Sequence, residues 1–366
     1  MLPPEHPENL RNLLRDLINI YSPTGKEQEI VGFLHGYLKS SGVPVRLQKI
    51  EGTRSNLIVI PPESETVAVM IGHLDTVAAY DLEDFGYREE EGRIEGLGAS
   101  DMKGGCAAMI EAYLALWRRK GGRPSVALAL VVGEEEDGDG TQKLVKHYHF
   151  PWALIAEPTN MHPCFSHYGY FEIQLTTVGK RIHASLANPG HNPIEAMLRL
   201  ILRISRYIGE KRSDLVYNIR DLSSSRSGFA VPERCDAWLD IHLPPSAPQG
   251  EIIMELEEIL ISEKQESPDF SGSLSFNNVH AGYVLPEKGS FVEVLKKVYS
   301  EQQLPWEPQA FRSHSDANLL WAAGTKPIIL GPGRLEQAHS PDESITFDQV
   351  LLASKVYFSM LRAMSG

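Results

Sequence analysis

Apolar positions in the first forty residues recur at helical spacing. Leu10, Leu13, Leu14, Leu17 and Ile18 form one stripe, and Ile30, Leu34 and Leu38 a second, with Thr24 and Glu27 placed as a capping box before the second helix. Beyond them, short apolar runs alternate with helical stretches: strands over 56–60, 67–72, 126–132 and 152–156, and a helix over 105–118. That alternation predicts an α/β layer structure, a central mixed sheet with helices on both faces. From about Pro163 the rhythm changes. Residues 170–178 and 235–243 alternate as strands, and 192–208 and 249–260 carry amphipathic helices. This predicts an α+β unit over 163–276 inserted into a domain built from 1–162 and 277–366.

Several apolar runs end in a short polar motif, and these motifs carry the candidate chemistry. The run 67–70 closes in Ile71-Gly72-His73-Leu74-Asp75. Residues two apart on a strand share a face, so His73 is placed to bind a cation while the Asp75 carboxylate fixes the other ring nitrogen. The glycine-rich stretch 96–105 does not have the spacing of a dinucleotide or P-loop fingerprint. Its Asp101 instead offers two oxygens that could bridge a metal pair. Strand 126–132 runs into Glu134-Glu135-Glu136-Asp137, where like charges at a buried strand end call for a cation among them, one glutamate as ligand and its neighbour as general base. Glu157 ends the run 154–156, and His339 follows a late Gly-Pro-Gly loop.

Composition narrows the classes. A net charge of -13 leaves no basic stripe for nucleic acid. Three scattered cysteines argue against a disulfide framework. The first residues read as neither signal peptide nor membrane span, and no later run approaches the ~20 apolar residues a span requires. A cytoplasmic protein is the expectation.

In this order the five motifs resemble the M20 family of metallopeptidases and deacylases, the group that includes acetylornithine, acetyl-lysine and acetylcitrulline deacetylases and related carboxypeptidases. The resemblance spans nearly the whole chain. It implies a zinc-exopeptidase-like catalytic domain and a ferredoxin-like lid through which the chain forms a homodimer. It also implies two divalent ions, Zn²⁺ first, with Co²⁺ or Mn²⁺ as alternatives: His73 and Glu157 on one, Glu135 and His339 on the other, Asp101 between. Aligning the strand and Gly140-Thr141 makes Glu134 the base and Glu135 the ligand; sliding by one residue makes them Glu135 and Glu136. The segment around His183 resembles the family's lid histidine, a donor for the oxygen that gains charge during amide attack.

The implied reaction is hydrolysis of an N-acyl, chiefly N-acetyl, amino acid such as acetylornithine, acetyllysine or acetylcitrulline. A dipeptidase or carboxypeptidase with the same centre is the alternative, and a catalytically silent binding protein the remote one. Where relatives grip a substrate carboxylate, this chain has Tyr168, Phe229 and His242; Arg226 or Arg312 could replace the cation, or lie on the surface. His314 is a candidate substrate contact. His147, His149, His162 and His191 read as surface residues.

Overall fold

The computed structural model describes residues 7–61, 66–81, 83–119, 124–187, 192–226, 228–267 and 269–365. The chain divides into two compact units: Met1–Phe165 with Leu285–Phe311 and Ser315–Gly366, and Ser166–Val284 with Arg312–His314.

The first unit is built on a mixed sheet whose strands run in the order Arg46–Lys49, Ser55–Val59, Val126–Val131, Ala68–His73, Trp152–Ile155, Lys326–Ile329. The last four are mutually parallel, and Ser55–Val59 lies antiparallel beside them. Every residue of Ala68–His73 and Val126–Val131 is buried. Their near-continuous apolar sequences are those of parallel strands covered on both faces. Helix Gly104–Trp117 is buried along almost its whole circumference, as a helix apolar on all sides must be. It packs against Phe347–Met364, and Pro7–Asn19 packs on both. Gly105 allows this helix to lie close to the sheet, because a Cβ there would sit 2.3 Å from the Ala156 carbonyl oxygen.

The expected capping box at Thr24 and Glu27 does not form. Glu27 itself occupies the N-cap of helix Gln28–Ser40 without a side-chain cap. Its carboxylate instead pairs with Arg54, which also binds Asp139, and Thr24 donates to Asp75. Buried ionic partners outcompete a local cap, since an unpaired buried charge costs more than a missing capping bond.

The second unit is a four-stranded antiparallel sheet in the order Val216–Ser224, Arg234–Leu243, Gly169–Val178, Ser271–His280, with helices Pro193–Lys211 and Gln249–Glu266. The connectivity strand–helix–strand–strand–helix–strand is ferredoxin-like. Alternate residues of the central strands, such as Phe171, Ile173 and Leu175, pack with Leu200, Ile204 and Leu256 of the helices. The unit extends to Val284 rather than ending at 276, because Ser271–His280 pairs along its length with Gly169–Val178. Among the described residues no helix is long and apolar enough to cross a membrane, and the three cysteines are free and buried.

Candidate metal centre

The parallel strands deliver their polar termini to one edge of the sheet, the carboxyl ends, where open α/β sheets place their sites. His73 closes its strand with the ring 1% exposed. Its Nε2 lies 3.1 Å from Asp101 Oδ1, 3.7 Å from Glu157 Oε1 and 3.8 Å from Glu134 Oε2. Asp101 turns its other oxygen to His339, whose Nε2 is 3.6 Å away. His339 Nε2 is 3.0 Å from Glu135 Oε2. His73, Asp101 and Glu135 form one group of potential ligand atoms, and His73, Glu134 and Glu157 another. All five sequence-predicted ligands and Glu134 therefore meet in one place. Glu136 is exposed and outside the cluster, which fits Glu134 and Glu135 as the inward pair.

Asp75 differs from expectation. The His73 Nδ1 is held at 3.0 Å by the Asp75 backbone carbonyl, and the Asp75 carboxylate oxygen is 3.8 Å away. The carboxylate is engaged elsewhere, accepting the backbone N–H groups of Glu134 and Glu135 and the Thr24 hydroxyl. The chain leaves the strand at His73, so Asp75 no longer follows the two-residue alternation and its side chain turns to the glutamate loop. That loop enters through Gly133 at φ +81°, where a Cβ would lie 2.1 Å from Asp139 Oδ1.

Electrostatics follow from burial. Burial pushes the Glu134 carboxyl well above the usual range, with Glu157 and Glu135 adding to it against the opposing charge of His73. Burial and then Asp101 raise Glu157 to about 8. His339, bonded to Glu135, is raised to about 9. Glu157 Oε1 is buried and has no hydrogen-bond partner. Four packed carboxylates, two imidazoles and an orphaned oxygen aimed among them fit a divalent cation, which would neutralise the like charges and take up the free lone pairs.

Around this cluster lie groups the motifs did not single out. Glu343, 3% exposed, accepts the backbone N–H groups of Gly98, Ser100 and Asp101. Lys103, 1% exposed, donates to the Ile20 carbonyl. Asp316 is buried with one oxygen unpartnered. Their positions four residues after His339 and two after Asp101 were the available signals for the first two.

A sequence comparison decides the lineage: the profile of peptidase family M20/M25/M40 matches residues 69–363. The chain belongs to that family. It is accordingly an enzyme of a metallo-hydrolase family. Acetylornithine deacetylase of Pasteurella multocida (strain Pm70) is 27% identical over 338 residues, covering 87% of this chain and 86% of that protein. N-formyl-4-amino-5-aminomethyl-2-methylpyrimidine deformylase of Bacillus subtilis (strain 168) is 24% identical, covering 98% and 95%. In fold the chain resembles a tripeptidase of Staphylococcus aureus, with a TM-score of 0.81 at 18% identity over 98% of this chain and 99% of that one. Family membership implies divalent-metal binding and hydrolysis of amide bonds.

The remaining predicted residues fall in the second unit or on the surface. His183 is exposed, its Nδ1 2.8 Å from Ser185 Oγ. Phe229 is 90% exposed, and Arg226 and Arg312 are also exposed. The Arg312 guanidinium lies 5.9 Å from the centre of the half-buried Tyr168 ring. Tyr170 stacks on His314 at 4.4 Å and lies 5.3 Å from His242, and its hydroxyl donates to Asp240. Burial lowers the pKa of His242. His147 and His149 are exposed, but His162 is half-buried with Nδ1 3.3 Å from the Glu307 carbonyl oxygen. His191 lies outside the described residues.

Proposed function

We propose that this enzyme uses two divalent ions to hydrolyse the amide bond of an N-acyl, chiefly N-acetyl, amino acid of the ornithine, lysine or citrulline type. The observation that carries the reading is the division of Asp101, one oxygen toward His73 and the other toward His339. His73 with Glu157 would hold one cation and Glu135 with His339 the other, Asp101 bridging. Zn²⁺ suits this mixed imidazole and carboxylate set, with Co²⁺ or Mn²⁺ as substitutes. When bound, such ions supply Lewis acidity at the amide carbonyl and make water acidic near neutral pH.

The chain's own residues do the rest. Glu134 takes the proton of the attacking water at Oε2. Its raised pKa suits a base that must hold that proton and then release it to the departing amine nitrogen. The water oxygen first adds to the carbonyl carbon, and the carbon–nitrogen bond then breaks as Glu134 returns the proton to nitrogen, giving carboxylate and free amino acid. Asp75 orients the Glu134–Glu135 turn through two backbone bonds. His183, exposed on the second unit, is the candidate donor to the developing oxyanion. We further read the enzyme as a cytoplasmic homodimer joined through that unit. Its edge strand Val216–Ser224 is exposed almost throughout, and Leu198 and Leu202 stand in solvent on helix Pro193–Lys211.

The test is free-amine release from N-acetyl, N-succinyl and dipeptide substrates after the metal is stripped and Zn²⁺ or Co²⁺ restored. Selective cleavage of one acetylated amino acid supports the proposal. Cleavage of dipeptides alone replaces it with a peptidase.

A further inference from the structure

The backbone N–H groups of the turn that carries Asp101 are held by a side chain from far along the chain. Residues 98–101 leave the strand Arg93–Glu95 and must present three inward backbone N–H groups before helix Gly104–Trp117 begins. Gly98, at φ +76°, cannot be replaced without strain, because a Cβ would meet Thr76 at 2.8 Å and Lys103 at 3.1 Å. One buried carboxylate satisfies all three amides. Glu343 Oε1 accepts from Ser100 at 2.8 Å and Asp101 at 2.9 Å, and Oε2 accepts from Gly98 at 2.8 Å. Its own carbonyl accepts from Gly96 at 3.1 Å. The ladder Ser344–Thr346 with Arg93–Glu95 fixes its backbone beside the turn. Ser100 adds a second stitch, its hydroxyl accepting from the Arg334 amide at 3.0 Å.

We propose that Glu343 is a positioning residue for the metal centre. It presets the Asp101 turn before any cation binds and couples that turn to the loop bearing His339. A carboxylate accepting three amides is charge-assisted and stronger than neutral bonds, and outer partners of this kind commonly govern metal affinity by about 10–100-fold. Glutamine cannot substitute: with its oxygen on Ser100 and Asp101, its NH₂ faces the Gly98 N–H, donor against donor. Glu343 touches no reacting atom.

The inference rests on the reading of Asp101 as a ligand, and the experiment separates the two. Zn²⁺ and Co²⁺ would be titrated calorimetrically into metal-free full-length wild type, Glu343→Gln and Asp101→Asn. For Glu343→Gln we expect metal affinity weakened by about 10–100-fold, with kcat restored at saturating metal and an unchanged far-ultraviolet dichroism spectrum. Unaltered affinity, whatever happens to Tm, overturns the proposal. Loss of metal in Asp101→Asn but not in Glu343→Gln defeats this inference alone, whereas metal retained by Asp101→Asn defeats the proposed centre. If Glu343→Gln fails to fold, hydrogen exchange in metal-free wild type decides. Protected amides at Gly98, Ser100 and Asp101 support presetting, and protection that appears only with metal overturns it.

Discussion

The two halves of the proposed metal centre are built differently. His73 and Glu157 sit within two residues of parallel strand ends and are 1% and 3% exposed. His339 reaches Glu135 from a loop, in a left-handed conformation at φ +57°, with its side chain 52% exposed. The buried half inherits its geometry from the sheet, while the open half depends on loop conformation and is reached by water. A cation held in the first should bind more tightly and exchange more slowly than one in the second, because desolvation strengthens every electrostatic contact there.

Removing the base tests what the halves share and should have the largest effect. Glu134→Gln is expected to lower kcat by about 10²–10⁴-fold while elemental analysis finds the metal content unchanged; lost metal would make Glu134 a ligand. Next in size is the asymmetry itself. His73→Ala should abolish metal retention on desalting, whereas His339→Ala should keep one ion and lose the other. Equal losses in the two variants would erase the distinction.

The buried half should also govern the metal-free protein's response to pH. The folded pKa of Glu157 stands raised, from 4.5 to about 8, so its contribution to stability is fully present below about 4.5 and is lost as pH rises through about 8. The Tm of metal-free protein should therefore fall across that window, and restored metal should flatten the curve. A metal-free Tm that climbs with pH would contradict this. The smallest effect is expected from Asp75→Asn, which keeps one acceptor for the Glu134 and Glu135 amides: about 1 kcal/mol of stability by denaturant unfolding, with a modest fall in kcat. An unaffected kcat would detach Asp75 from the base.

The same contrast explains what could be read from sequence. His73, Glu134 and Glu157 follow buried parallel strands, whose unbroken apolar runs announce both the strand and its end. The outer strands of the second unit gave no such signal. Val216–Ser224 is exposed along nearly its whole length, and Ser271–His280 buries no residue fully, so neither carries an unbroken apolar run. Asp75 was legible as a residue of the centre but not in its bonding, because backbone amides brought from another strand leave no mark in sequence. Glu343 escaped for the same reason, its three partners all being backbone N–H groups. Thr24 and Glu27 looked like a local cap until distant Asp75 and Arg54 claimed their side chains.

The bond from Gly98 to Glu343 joins positions 245 residues apart, and this gives the centre a birth order. At the usual 5–20 residues per second of synthesis, the acids at 101, 134, 135 and 157 emerge first, and the Asp101 turn waits on the order of 10–50 s for its clasp. During that interval the nascent chain holds acids without His339. Glu135 therefore meets His339 only after residues 136–339 have been made.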